Sequence, residues 1–283
     1  MRLSWAFVRY DFSSTVVPAM LFVLAASRSA GQFDVATLAG AAAYFFLYVY
    51  TFAVSNQITG LEEDRLNKPD RPLPAGMTTV GGAWIRWVVG MLLFAGVGWS
   101  LGVLEWALMW QVCFCLYNFA GFARHFVTKS LIMGLGVIAQ LAAAWSIVAP
   151  VSPVAWRWIT GLAVVAFVFC NIQDLRDVAG DRVLRRRTMP LVYGLTRSCR
   201  ALAFAFALLL PLVTHFWLFA PLPGTPFGWL LEGSATILSW VIAARLMLDQ
   251  RPQALHRSYL LFTYWYCLML FGAGLVLPGA LAP

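Results

Sequence analysis

Asn56-Gln57-Ile58-Thr59-Gly60-Leu61-Glu62-Glu63-Asp64-Arg65-Leu66-Asn67-Lys68-Pro69-Asp70-Arg71-Pro72 closes an apolar run over 36–60 and concentrates carboxylates and cations where that run ends. A membrane-spanning helix takes roughly 20 apolar residues, so the run is long enough to cross a bilayer. Carboxylates beside hydrocarbon are costly and are kept for a function. On a helix, Asn56, Gly60, Glu63, Asp64 and Asn67 share one face, because residues three and four apart overlie one another; Glu62 falls elsewhere. Hard cations such as magnesium take oxygen ligands from a few carboxylates plus substrate phosphates, which suits that face. Pro69 and Pro72 end the helix and present Lys68 and Arg71 as phosphate partners.

Outward from this stretch the chain is apolar almost throughout. Of its 283 residues 61% are hydrophobic and 11% charged, with a mean hydropathy of +0.76, which excludes an ordinary soluble domain. Apolar runs predict spans near 13–31, 36–60, 82–103, 105–122, 131–150, 155–177, 197–219, 229–248 and 258–279, with breaks at Pro72/Pro74/Gly76, Pro150/Pro153 and Pro221/Pro223/Pro226. The predicted fold is an all-α, polytopic membrane bundle of nine transmembrane helices in one domain over 1–283, with the first run retained as a helix and not cleaved as a signal. The net charge of +8 sits in short segments between spans and forms no continuous basic face, so nucleic acid is not a partner. Those segments report topology instead. Eighteen of the lysines and arginines fall on one side and only Arg28 and Arg157 on the other, which predicts a cytoplasmic amino terminus and motif side and a carboxyl terminus opposite. The five cysteines lack zinc-site spacing and read as buried apolar groups.

The second acidic cluster ends the sixth predicted span: Asn171-Ile172-Gln173-Asp174-Leu175-Arg176-Asp177-Val178-Ala179-Gly180-Asp181, running into Arg185-Arg186-Arg187-Thr188-Met189-Pro190. On a continuous helix Asp174, Asp177 and Asp181 stack at spacings of three and four. Carboxylates that close repel one another unless a cation sits between them. An acidic helix end neutralised by neighbouring arginines explains either cluster alone less well when both lie on one membrane face.

At these residues the chain resembles the UbiA superfamily of intramembrane prenyltransferases, through Asn67-Lys68-Pro69-Asp70-Arg71-Pro72 and Asp174-x-x-Asp177-x-x-Gly180-Asp181. The resemblance implies a helical bundle around a central cavity, with Mg2+ as cofactor and a prenyl diphosphate as substrate. It further implies catalytic and metal-holding roles for Asn56, Glu63, Asp64, Asp174 and Asp177, with Asp181 a further metal ligand. Diphosphate-binding roles fall to Asn67, Lys68, Arg71, Arg124 and Lys129, the last two in a short basic loop that equally well serves as a topology determinant. The family's usual first motif has Asp four residues after the Asn, where this chain has Gly60. Gly60 with Glu62-Glu63-Asp64 resembles the membrane-bound terpene cyclase branch.

Counting back in helical steps from Asn56 and Asp174 gives Phe45, Tyr48, Phe52 and Phe167, and Tyr117 ends the fourth span. These rings are expected to line the cavity, where aromatic faces attract a carbocation; ordinary helix packing is the alternative for each. The expected function is thus a terpene synthase that ionises farnesyl or geranylgeranyl diphosphate and cyclises the allylic cation. The alternative within the fold is prenyl transfer to an aromatic or quinone-precursor acceptor. A transporter would place its acids near mid-membrane. Membrane lipid and substrate are the expected partners, with no obligate protein partner.

Overall fold

A computed structural model describes residues 2–183 and 185–281, excluding the side chains of Leu66, Asn67 and 279–281. The role expected of the Asn67 side chain therefore lies outside the described residues. The short α1 (Arg2–Val8) leads into α2 (Phe12–Ala30) and α3 (Val35–Thr59), followed by the short α4 (Leu61–Asn67). Then come α5 (Val80–Ser100), α6 (Leu104–Phe119), α7 (Phe126–Ser146) and α8 (Pro153–Phe169). After the second motif, α9 (Val178–Val183) and α10 (Met189–Tyr193) precede a long rod. That rod is α11 (Leu195–Phe204) and α12 (Leu210–Val213), each continued by a π-helical segment, Ala205–Leu209 and Thr214–Phe219. The chain finishes with α13 (Pro226–Leu248) and α14 (Pro252–Leu281).

Local chemistry sets several of these starts. The side chains of Asp34, Thr79, Ser152 and Thr225 accept hydrogen bonds from the first-turn amides of α3, α5, α8 and α13. Pro153 and Pro226 occupy first-turn positions whose missing amide costs nothing.

Among the described residues eight helices are long and apolar enough to cross a bilayer. The remaining predicted span is α6, which has 16 residues and is shorter than the others. The long helices pack in a closed order, α2 on α3, then α5, α6, α7, α8, the α11–α12 rod, α13 and α14, with α14 returning to α2. Contacts between α2 and α7 and between α3 and α6 fill the middle. Large apolar side chains such as Leu92, Trp99 and Trp229 stand exposed on the outside, as a lipid-facing surface requires.

The ends of α3 and α8 position the two motifs. At Gly60, α3 stops: a Cβ there would stand 2.9 Å from the Asn56 carbonyl oxygen, and the chain re-enters a helix only as α4. The α-helix of α8 stops at Phe169 and tightens into a 3-10 turn, Cys170–Gln173, so Asp174 lies in a turn beyond the span. The continuous helices expected through both motifs are therefore interrupted, and the phase relations beyond each break differ from a simple 3.6-residue count.

Candidate active site

The two motifs meet through ion pairs. Asp64, on α4, is 3% exposed, and both its oxygens accept from Arg71 Nη1, at 2.8 and 2.9 Å. Burial raises the Asp64 carboxyl above its ordinary value, against the pull of Arg71. Arg71 is itself buried and lies 3.8 Å from Asp11, so it works as a strut beneath the first motif. Asp70 is held by Arg9 and Tyr10, and the Tyr10 hydroxyl draws its carboxyl below the usual range. Gln57 donates to the Phe7 carbonyl at 2.9 Å. The amino-terminal α1 is thereby strapped to the end of α3.

Arg186 joins the motifs. Its Nη2 donates to Glu63 at 2.7 Å and its Nη1 to Asp181 at 3.1 Å. Arg185 adopts the left-handed conformation, φ 52°, and turns the chain after α9 so that Arg186 comes back over Asp181. Burial works against the Arg186 charge, but Glu63 and Asp181 outweigh it and raise its pKa. The neighbouring Arg187 pairs its backbone with the α6–α7 loop: its amide donates to Arg124 O at 2.6 Å and its carbonyl accepts from Phe126 N at 3.1 Å.

That pairing places Lys129. The span expected from 131 starts at Phe126, where His125 Nδ1 accepts from Val127 N, so Lys129 sits in the first turn of α7 and is no longer a loop residue. It is buried and paired with Asp174. Arg124, its expected companion, is exposed and forms no ion pair among the described residues. Asp177 also parts from its group: the turn after Gln173 leaves it exposed, 3.5 Å from Arg176. Asn56 and Lys68 are half-buried at the rim.

Within this cluster three buried oxygens, Asp174 Oδ2, Asp181 Oδ2 and Asn171 Oδ1, have no hydrogen-bond partner. Burial and the nearby Asp174 charge raise the Asp181 carboxyl. Unpartnered, mutually repelling carboxylate oxygens in a buried site are costly, and a hard cation relieves that cost. Among the described residues no three His, Cys, Asp or Glu side chains gather as a complete protein cage. Magnesium binds through one or two carboxylates and completes its shell with water and substrate phosphate. The donor set therefore fits it.

Above the ions runs an aromatic column. Tyr48 stacks on Trp110, centroids 4.6 Å apart and planes within 2°, and Phe52 contacts Trp110 at 5.5 Å and Tyr117 at 5.6 Å. Phe45 adjoins Tyr48 at 6.3 Å, and Tyr117 lies within electrostatic reach of Lys129, Arg186 and Asp174. Phe167 stands apart: it is 39% exposed and makes no ring contact among the described residues, because the 3-10 turn breaks the count back from Asp174. Trp110 and Phe114 were not singled out in the sequence, although their spacing to Tyr117 marks one face of α6. Arg186 and Asn171 were likewise missed; nothing in the Arg185-Arg186-Arg187 triplet tells which arginine turns inward.

The sequence profile of the UbiA prenyltransferase family matches residues 15–275. Somaliensene A/B synthase of Streptomyces somaliensis is 43% identical over 275 residues, covering 95% of this chain and 91% of that protein. Diterpene cyclase eriG of Hericium erinaceus is 33% identical over 273 residues, covering 92% and 83%. The solved structure of a UbiA homolog from Archaeoglobus fulgidus bound to GPP and Mg2+ superposes with a TM-score of 0.69 at 15% identity, covering 96% of this chain and 99% of that one. At that identity the likeness is one of fold.

Proposed function

The chain belongs to the UbiA prenyltransferase family, and from that membership we infer a membrane-embedded terpene synthase that ionises a polyprenyl diphosphate and cyclises the allylic cation. The choice of cyclisation over transfer rests on the extent of identity with a terpene synthase and a diterpene cyclase. The observation that carries the chemistry is the cluster of buried Asp174, Asp181 and Lys129 with half-buried Arg186 at the foot of the Tyr48–Trp110–Phe52–Tyr117 column.

Asp174 and Asp181 would hold Mg2+ through their unpartnered oxygens, with Asn171, Asn56, Glu63 and Asp64 as further oxygen donors. When bound, the ion supplies positive charge that stabilises the departing diphosphate. Lys129, buried, and Arg186, half-buried, carry the positive charge of the site. Lys129 is paired with Asp174 and Arg186 with Glu63 and Asp181, and each can exchange a carboxylate for a phosphate oxygen where Mg2+ takes over the carboxylate's charge. Lys68 and Arg124 stand at the rim as diphosphate contacts. The C–O bond breaks with its electron pair going to the diphosphate; the chain then attacks its own cation through a double bond, and loss of a proton or addition of water ends the sequence. The aromatic column shields that cation from water and attracts it by up to about 2 kcal/mol per desolvated ring.

The arginine and lysine bias supports an amino terminus and both motifs on the cytoplasmic side. A second reading, transfer of the prenyl group to an acceptor, is supported by the activity for which the family is named. Purified protein given farnesyl and geranylgeranyl diphosphate separately, with Mg2+ and no acceptor, is expected to release diphosphate and a cyclic hydrocarbon or alcohol. Recovery of intact substrate until an aromatic acceptor is supplied would establish transfer instead.

A further inference from the structure

The turn between α13 and α14 borders a half-open cavity of about 420 Å³ lined by Arg245, Arg251 and Arg257 with Asp249 and Leu248. It is separate from the acidic motifs but opens on their side of the bundle. Arg176 of the second motif bonds His256 in the second turn of α14, and its guanidinium lies 4.7 Å over the Tyr259 ring. The lining is built for an anion. Asp249, its one acid, is occupied by Arg251 through Nε at 3.0 Å and Nη2 at 2.6 Å. Arg245 and Arg257 remain without an ion-pair partner among the described residues, and Arg245 Nε is buried with no hydrogen-bond partner. A buried guanidinium nitrogen without an acceptor is costly, and a tetrahedral oxyanion satisfies it with two-point geometry. The first-turn amides of the 30-residue α14 add to the positive potential.

We propose that this cavity is a second phosphate-binding site, filled by the headgroup of an anionic phospholipid. A phosphate group is the shared chemistry, and the surroundings favour the lipid source. Leu248 is 85% exposed and Met247 53% exposed at the same helix end, an apolar flank for a glycerol and acyl chain beside the headgroup. With no unpartnered carboxylate in the lining, the site has no means of holding a metal–diphosphate pair. It is a lipid anchor near the second motif, tied to it through Arg176 and His256.

Native mass spectrometry of the purified full chain tests this, with phosphatidylglycerol, phosphatidylcholine or inorganic phosphate added. Arg245→Gln/Arg257→Gln is expected to bind phosphatidylglycerol about 25-fold more weakly than the parent, two arginines each contributing about five-fold. Arg245→Lys/Arg257→Lys retains most of the affinity. Arg197→Gln/Arg200→Gln, on the exposed face of α11, changes it little. Arg257→Gln alone, at an exposed position, gives the single-residue loss should the double variant fail to fold. Loss of inorganic phosphate binding in the double variant, with phosphatidylglycerol unaffected, assigns the site to a soluble phosphate and overturns the lipid source. Unchanged binding of all three ligands overturns the site itself.

Discussion

Arg186 donates to Glu63 at 2.7 Å and so ties the second acidic motif to the first, which lies 123 residues earlier. The same side chain holds Asp181. Replacing it by Gln removes one cation from between two carboxylates. Arg186→Gln is expected to lower stability by about 2 kcal/mol, the scale of hydrogen bonds to charged groups, and to reduce diphosphate release at least ten-fold. Because Mg2+ relieves the same repulsion, added Mg2+ should raise the melting temperature of the variant more than that of the parent. Parent-like turnover in Arg186→Gln would remove it from the site.

The Lys129–Asp174 pair separates structural from chemical roles. Lys129→Met leaves a buried carboxylate uncompensated and is expected to cost about 3 kcal/mol. Lys129→Met/Asp174→Leu removes both charges and is expected to regain most of that stability, since buried pairs are often replaceable by apolar groups. Diphosphate release, measured with the same preparations, stays abolished in both. Activity in the double variant would show that the pair serves packing alone.

How far the sequence revealed this site depends on where helices continue. Along α3 the backbone stays helical to Thr59, so Phe45, Tyr48 and Phe52, reached by helical steps from Asn56, stand in one aromatic column. Past Gly60 and past Phe169 the helix breaks, and the face assignments for Asp177 and Phe167 fail with it. At Gly60 the backbone leaves the helical region, in a conformation where an added Cβ would come within 2.9 Å of the Asn56 carbonyl oxygen, and no periodicity reports that. Composition and spacing recovered the bundle and its two motifs. The pairing of Lys129 with Asp174 was hidden because it depends on α7 beginning at Phe126, which the His125 cap and the backbone pairing of Arg187 decide.

The raised carboxyls at Asp64 and Asp181 give a pH dependence of defined sign. A carboxyl whose pKa is raised by folding holds its proton more tightly in the folded state. Its contribution is therefore complete below the ordinary value of 3.8 and disappears as pH rises through the raised one. In EDTA, thermal stability is expected to fall as pH climbs through that window. Asp181→Asn should show a shallower fall, and Mg2+ should flatten the parent's curve toward it. A curve that rises across the window in EDTA would contradict the burial-driven shifts.

Trp110 tests whether the aromatic column guides the cation or only packs the bundle. Its ring stacks on Tyr48 and also meets Phe52 and Phe114, and it is remote in sequence from both motifs. Trp110→Phe keeps a π face and Trp110→Leu removes it. Neither side chain touches the ion pairs, so diphosphate release is expected to stay within about three-fold of the parent in both, under 1 kcal/mol of barrier. The products should differ: Trp110→Phe keeps the parent's cyclic product, whereas Trp110→Leu shifts the mixture toward acyclic or early-quenched alcohols, because the cation loses an aromatic face and water gains access. Gas chromatography of the hydrocarbon and alcohol fractions reads the split. An unchanged product distribution in Trp110→Leu at normal turnover would reduce the column to packing.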